Sequence, residues 1–584
     1  MQTEEPVKRA ADPDPDPGDG PLRGGPPARV TSPPAHRVAG GAVLTAERVA
    51  GGRRLRLGHA RVVAGGPRPR SRPAARRPAL FFAACLAITF LNFAAWSIAT
   101  PLFAAPDEPT QVARAAAVVR GELVGETTRD VGNAATRITI PKAFAGGSTS
   151  ATCFAFRDTA PASCVHGWST SKKLVHTTTY VGRYPPLYYL IVGIPSLFAI
   201  SRTGIYLMRL VSALLNALLI SLALFAVAVW SRSRLLLVGV VAASTPLVWF
   251  LGGVVNPSGL EISAGICLWT AGLVLVLERA EHPPPGLLAI VAAAAAVFLL
   301  TRDLSPLWVA IIASLLALLG GWRAVVGISR ARMARWLIGP VLACGLLGVG
   351  WIVSEHSLDL MPSGVTIRPH ESSLRILSTI VGEIGFWINQ MIGIFGWVDT
   401  RSPFLTYFVW FGVLGLVVAL AFAVARLRQS SGLALLVLGS ILIPVAIAYS
   451  QAHRLGIVWQ GRDILPLAVG IPLVATALIE QRGALRRWRV RLAVVLCSGM
   501  GVAMAAAFLE ALRRYAVGVD GPVDFLNGSW RPPLGLLTVA VVACVVTALY
   551  MALVVYGVGR SPELAGTGAL PGAAAPATAA AEGA

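Results

Sequence analysis

Apolar residues in this chain come in runs of about twenty, not in the alternations or one-faced stripes of a soluble fold. The first run is Leu80–Phe103. Others lie at Tyr206–Trp230, Leu235–Leu251, Gly259–Leu277, Gly286–Leu300, Leu304–Leu319, Trp336–Ser354, Phe404–Ala425, Leu433–Tyr449, Ile464–Ile479, Val490–Leu512 and Pro533–Tyr556. Several are short and must extend by a few residues or thin the bilayer locally. The pattern predicts an all-α integral membrane protein with about 12 transmembrane helices, occupying residues 80–557.

Two further apolar stretches read differently. If Pro185–Ile200 crossed the membrane, Arg232, Arg234 and the Arg323–Arg335 cluster would change sides. It is therefore expected as a short surface helix, with Tyr184, Tyr188 and Tyr189 at the interface. Ser378–Trp397 carries Glu383, Asn389 and Gln390, which are costly against lipid, so residues 355–402 are expected to form a second outer segment containing an amphipathic helix. Between the first two spans lies a large outer loop, residues 104–205, and loops of that length tend to carry function. Within it Gln111–Val124 reads as a polar-faced helix bearing Arg114 and Arg120. Residues 1–79 and 558–584 are rich in Pro, Gly and Ala, the first also in Arg. They are expected as disordered tails, because such compositions bury too little surface to offset their ordering entropy.

Composition agrees with the runs: 55% of residues are hydrophobic, 14% charged, and the mean hydropathy is +0.67. Soluble domains carry roughly 25% charged residues. The net charge of +21 would suggest nucleic acid in a soluble protein. Its distribution argues otherwise. Residues 1–79 hold 15 basic and 7 acidic residues, nine of the arginines falling between Arg53 and Arg77. With that tail cytoplasmic, the short basic loops also fall inside: Arg232 and Arg234, Arg279, Arg323–Arg335, Arg426 and Arg428, and Arg482–Arg491. This is the positive-inside pattern. It predicts a multi-pass protein of the cell membrane with both termini cytoplasmic, and membrane lipids, not nucleic acid, as partners.

What remains outside is sparse. Asp107 and Glu108 stand between Pro106 and Pro109, directly after the first span. By itself such a sequence is turn chemistry. Asn256-Pro257-Ser258-Gly259, with Glu261, falls between the third and fourth spans, Arg302-Asp303 between the fifth and sixth, and Gln460-Gly461-Arg462-Asp463 opens the tenth. Each alone reads as a helix cap or a satisfied ion pair, Arg302 with Asp303 for example. Together they place acids and arginines on one face beside a large loop. That loop also holds Cys153 and Cys164, which on an oxidising face either pair or stay free. The outer histidines show no zinc-ligand spacing.

The order Pro106-Asp107-Glu108-Pro109, Tyr184-Pro185-Pro186-Leu187-Tyr188-Tyr189, Asn256-Pro257-Ser258-Gly259-Leu260 and Gln460-Gly461-Arg462 resembles a bacterial family of polytopic membrane proteins catalogued as domain of unknown function 2142. The resemblance spans roughly residues 80–480. Asp463 stands where the family commonly has an aromatic residue. The family in turn resembles the GT-C superfamily, integral-membrane glycosyltransferases that take a sugar from a polyprenyl-phosphate carrier. The resemblance implies a GT-C-like fold and inverting transfer, on the outer face, from a polyprenyl-phosphate sugar donor to a cell-envelope glycan or lipid acceptor. It implies Asp107 as base, with Glu108 orienting acceptor or cation. Arg462, backed by Arg183 and Arg302, would bind the lipid phosphate, with Gln460, Asp303 and Asn256 lining the site. Tyr184, Trp459 or Trp168 would offer a flat face to the sugar. Asp107 and Glu261 would hold Mg2+ or Mn2+ if a divalent cation takes part. The rival reading is a transporter or lipid-linked-sugar flippase without transferase chemistry. It should show related halves or charges near the midplane, and neither is seen in the sequence.

Overall fold

A computed structural model describes residues 76–127, 135–145, 152–232, 234–359, 371–483, 485 and 487–560. The expected disordered tails lie almost wholly outside these residues. The first helix, α1 (Arg76–Ala99), begins ahead of the expected Leu80.

The loop after α1 is structured. It holds α2 (Glu108–Val118), β1 (Glu126–Thr127), β2 (Thr136–Pro141), β3 (Leu174–Thr179), α3 (Leu187–Val192) and α4 (Pro195–Phe198). The strands form an antiparallel sheet in the order β1-β2-β3, with Thr136 opposite Thr179 and Pro141 opposite Leu174. Cys153 and Cys164 are joined in a disulfide, their Cα atoms 6.1 Å apart. The expected polar-faced helix Gln111–Val124 is corrected in two ways. It starts at Glu108 and ends at Val118, and it is sunk in the fold, with Gln111 and Arg114 buried. Arg114 is held by the carbonyls of Glu122 and Tyr184. Pro185–Ile200 forms only the two short helices α3 and α4, too short to span.

The remaining helices are α5 (Arg202–Trp230), α6 (Leu236–Ala243), α7 (Pro246–Gly252), α8 (Pro257–Glu278), α9 (Pro285–Leu299), α10 (Ser305–Gly320), α11 (Trp322–Arg330), α12 (Arg332–Ser354) and α13 (Ser373–Gly393). A two-stranded pair, β4 (Ile394–Phe395) and β5 (Thr400–Arg401), precedes α14 (Phe404–Val424) and α15 (Leu427–Leu455). Last come α16 (Gly461–Ala468), α17 (Gly470–Gln481), α18 (Arg489–Val517) and α19 (Leu536–Gly559).

Every expected span is helical, but not every one is a single full-length helix. Among the described residues nine helices are long and apolar enough to cross a membrane, α16 and α17 counting as one, and ten if α10 and α11, bent by 108°, are taken together. α9 is shorter. The run Leu235–Leu251 is broken into α6 and α7 because Pro246 has no N–H to continue the ladder and forces Thr245 into an extended conformation. A broken helix survives at membrane depth only where protein re-satisfies the freed groups. Here Trp249 donates to the Ser244 carbonyl, Trp410 to that of Ala242, and the Thr245 hydroxyl to that of Met391. α13 is an amphipathic helix outside the set of spans, as its polar residues require.

The core is built by α1 against α5, α5 against α8, and α6 against α17. α8 is buried nearly all round, so residues at its start are fixed in the middle of the bundle and not on its rim.

Candidate functional site

Proline and capping chemistry fix the starts of two helices, α8 and α16, at one end of the bundle. Asn256 is the N-cap of α8, its side chain accepting from the Ser258 N–H at 2.9 Å, with Pro257 pre-set for the first turn. Its amide also donates to the Pro106 carbonyl at 3.1 Å, which ties α8 to the Asp107 loop. A Cβ on Gly259 would lie 2.6 Å from the Leu251 carbonyl, so that glycine permits α7 and α8 to close up. Gln460 caps α16 in a reciprocal box with Asp463. A Cβ on Gly461 would overlap the Trp387 carbonyl of α13. Asn256 and Gln460 are therefore scaffold residues that aim their neighbours.

The neighbours they aim form one cluster. Asp107 sits as N-cap of α2 in the left-handed region, φ 63°, a conformation that Asp tolerates better than most residues. Its Oδ1 accepts from the Tyr180 hydroxyl at 2.5 Å and its Oδ2 from Arg462 Nη2. Arg462 keeps Nε and Nη1 buried without a partner among the described residues. Arg302 Nη1 lies 3.1 Å from both Glu261 and Asp463, which binds α8, α16 and the α9–α10 turn together. Asp463 also accepts from the Gln460 N–H at 3.1 Å.

Burial alone would raise the Asp107 pKa, but Arg462, the Tyr180 hydrogen bond and Arg302 outweigh it and hold the carboxyl below its ordinary value. Asp107 is therefore ionised at neutral pH. Tyr180 is pushed well up by burial and by the Asp107 charge, so it stays a neutral donor. Tyr184 rises to about 12, chiefly through burial, with Arg302 opposing and Asp303, Asp107 and Asp463 adding. It stands within electrostatic reach of the whole cluster.

Several expected roles change. Glu108 faces away from the site: its side chain is fully buried and both oxygens bond Arg209 of α5, at 2.7 and 2.5 Å. Arg302 pairs with Glu261 and Asp463, not with Asp303, and Asp303 instead accepts from the Ser357 hydroxyl at 2.8 Å. Arg183 is drawn to the seam between β1 and α12, donating to Thr127 and to the Glu355 carbonyl. Trp168 stacks on Phe103 and Trp459 is buried. Among the described residues no group of three His, Cys, Asp or Glu side chains is disposed around a metal ion. Both Glu261 oxygens are taken, by Ser305 and Arg302, and Asp107 is spent on Tyr180 and Arg462. A Mg2+ or Mn2+ ion shared by Asp107 and Glu261 would have to compete with these partners.

Burial lifts the Asp303 carboxyl to about 6, against the opposing effects of Ser357 and Arg302. A folded value above the unfolded one favours the protonated form, so stability falls as pH rises through about 6. Thermal melts of wild type and Asp303→Asn should converge as pH falls towards the ordinary carboxylate range. Above it they should separate, the variant being the more stable.

Tyr180 and Arg209 belong to none of the sequence motifs, and Asp463 stands in one without a role attached to it. Tyr180 follows directly on the Thr-rich strand β3, which delivers it to Asp107. Arg209, and the pairing of Asp463 with Arg302, are recognisable only once the helices are packed.

Buried arginine–carboxylate links at the ends of apolar helices, beside a folded outer loop, define a polytopic membrane protein with a polar site at one end of its bundle. The chain belongs to the family described as "Predicted membrane protein (DUF2142)", which it matches over residues 90–471. That match contains the Asp107 and Arg462 motifs and ends before α18 and α19. No curated protein matches the chain. Two solved structures of ArnT from Cupriavidus metallidurans are similar to it. The apo state has a TM-score of 0.37 at 12% identity, covering 85% of this chain and 78% of that one. The state bound to undecaprenyl phosphate has a TM-score of 0.36 at 13% identity, covering 83% and 77%. Neither likeness assigns a residue or a reaction to this chain.

Proposed function

We propose that the protein is a membrane glycosyltransferase that moves a sugar from a polyprenyl-phosphate carrier to a cell-envelope glycan or lipid acceptor at the outer face of the cell membrane. Both termini are then cytoplasmic. The observation that carries the reading is the Asp107–Arg462 pair: an ionised carboxylate hydrogen-bonded to a guanidinium that retains two unpartnered nitrogens, with Arg302 in electrostatic reach. The motif order and its resemblance to the GT-C superfamily support the same reading.

In this mechanism the acceptor hydroxyl oxygen attacks the anomeric carbon while the bond from that carbon to the phosphate oxygen breaks. The acceptor proton passes to Asp107. The leaving lipid phosphate gains one negative charge, which Arg462 meets through its free donors and Arg302 through the field. A single displacement inverts the anomeric centre. Tyr184 lines the site as a flat neutral surface. No divalent cation enters these steps.

The test is Arg462→Ala in purified full-length protein. Loss of a charged hydrogen-bonding partner costs about 1.5–3 kcal/mol, so affinity for a polyprenyl-phosphate-linked sugar should fall by about 10- to 150-fold. Arg462→Lys should recover part of it. Unchanged donor affinity in the alanine variant rejects the phosphate role, and the absence of any sugar release by wild type rejects the transferase reading.

A further inference from the structure

α8 and the α16–α17 span run from the Asp107 cluster to the opposite end of the bundle, about 30 Å away at 1.5 Å per residue. Arginines dominate there. Glu278 at the foot of α8 accepts from the Ser231 hydroxyl at 2.6 Å and from the Arg232 backbone N–H, so both its oxygens are occupied. Arg279 donates to the Trp230 carbonyl. Arg234, between α5 and α6, is only 4% exposed. Its Nη1 donates to the Ala228 carbonyl at 2.8 Å, and its Nη2 is buried with no partner among the described residues.

α6 packs on α17 and α18. This brings up Arg489, which opens α18 and reaches Glu480 at 3.3 Å. Burial, and then the like charge of Arg489, hold the Arg234 guanidinium below its ordinary range, with Glu278 opposing. A buried cation with a spare donor beside a second cation is unfavourable unless an anion is there to meet it. Trp488, half exposed next to Arg489 and carrying Arg491 over its ring at 5.1 Å, is the kind of residue that settles at the headgroup level of a bilayer.

We propose that Arg234 and Arg489 together bind the phosphate of an anionic lipid headgroup at the basic end of the bundle. The guanidinium pair supplies the donors and the charge. The buried position selects a ligand that already lies in the membrane edge over a soluble ion that must be dehydrated to reach it. The site is independent of the transferase reading.

Full-length protein in phosphatidylcholine nanodiscs doped with phosphatidylglycerol provides the test, read as phosphatidylglycerol adducts retained in native mass spectrometry. Wild type should retain the anionic lipid. Arg234→Gln and Arg489→Gln should each reduce retention by roughly fivefold, whereas the exposed-loop double variant Arg482→Gln/Arg487→Gln should not. Arg489→Gln, at a less buried position, carries the test if Arg234→Gln does not fold. Equal retention in the Arg489→Gln protein overturns the proposal. So does an equal loss in the Arg482→Gln/Arg487→Gln protein, which would mean diffuse surface charge. If inorganic phosphate alone raises the melting temperature through Arg234 while phosphatidylglycerol is not retained, the ligand is a soluble anion and the lipid assignment falls.

Discussion

Asp107→Asn should lower sugar transfer by about 10²–10⁴-fold, the usual contribution of a positioned general base, while donor binding stays close to wild type. Asparagine keeps the size of the side chain and an oxygen for Tyr180 or Arg462, so the loss isolates proton transfer. In the resting protein the carboxylate is a weak base, because Arg462, Tyr180 and Arg302 stabilise its charge against the effect of burial. A donor phosphate on Arg462 would draw off part of that stabilisation and add a negative charge nearby. Both changes raise the proton affinity of Asp107, so its basicity develops when donor is in place. The depressed value also sets the pH dependence. The competent form is the carboxylate, so the acid limb due to Asp107 should lie below the ordinary aspartate range. Tyr180→Phe, which removes a hydrogen bond to the charged form, should move that limb to higher pH. Turnover by reconstituted protein with a lipid-linked donor measures both effects, and near-normal turnover by Asp107→Asn would sink the assignment.

The helical segments, and the failure of Pro185–Ile200 to form a helix of spanning length, were readable from hydropathy because apolar run length speaks directly to bilayer thickness. The break in Leu235–Leu251 was also written, in Thr245-Pro246, but a run of apolar residues hides it until packing shows which carbonyls are freed. The site was legible as a set of motifs and illegible as a set of pairings. Asp107, Arg302 and Arg462 converge as their placement at span ends suggested. Which acid meets which arginine depends on helix rotation, and that follows from packing contacts such as Gly259 on Leu251 and Gly461 on Trp387. Sequence adjacency misled twice. Arg302 and Asp303 point to different partners, and Asp107 and Glu108, one residue apart at the start of α2, face opposite ways. Tyr180 was hidden for another reason: a lone tyrosine after a strand carries no motif, and only the β2–β3 register brings it to Asp107.

The larger structural effect should come from Glu108, the acid that turned inward. Glu108→Gln is expected to destabilise the protein by about 3–5 kcal/mol, the cost of leaving a buried charge unpaired. The arrangement around it is saturated. Glu108 Oε1 accepts from Arg209 Nε at 2.7 Å and the Val255 N–H at 3.1 Å, and Oε2 from Arg209 Nη2 at 2.5 Å and the Phe103 N–H at 2.9 Å. Arg209 spends its remaining donors on the carbonyl of Ser97, in the last turn of α1, and on those of Thr100 and Pro101 just beyond it. One ion pair thus closes the end of α1, the start of α2, the upper part of α5 and the α7–α8 turn, and it carries the Asp107 loop with it. Arg209→Met should cost as much or more, because it strands Glu108 and the carbonyls of Ser97 and Thr100 at once. Glu108→Leu/Arg209→Met removes both charges and should recover part of the loss but not all, since those carbonyls stay open. Thermal unfolding in detergent gives the four corners of this cycle, and the coupling between the two single changes should be favourable and large. A Glu108→Gln protein that melts like wild type yet transfers no sugar would return Glu108 to the chemistry and refute its structural role.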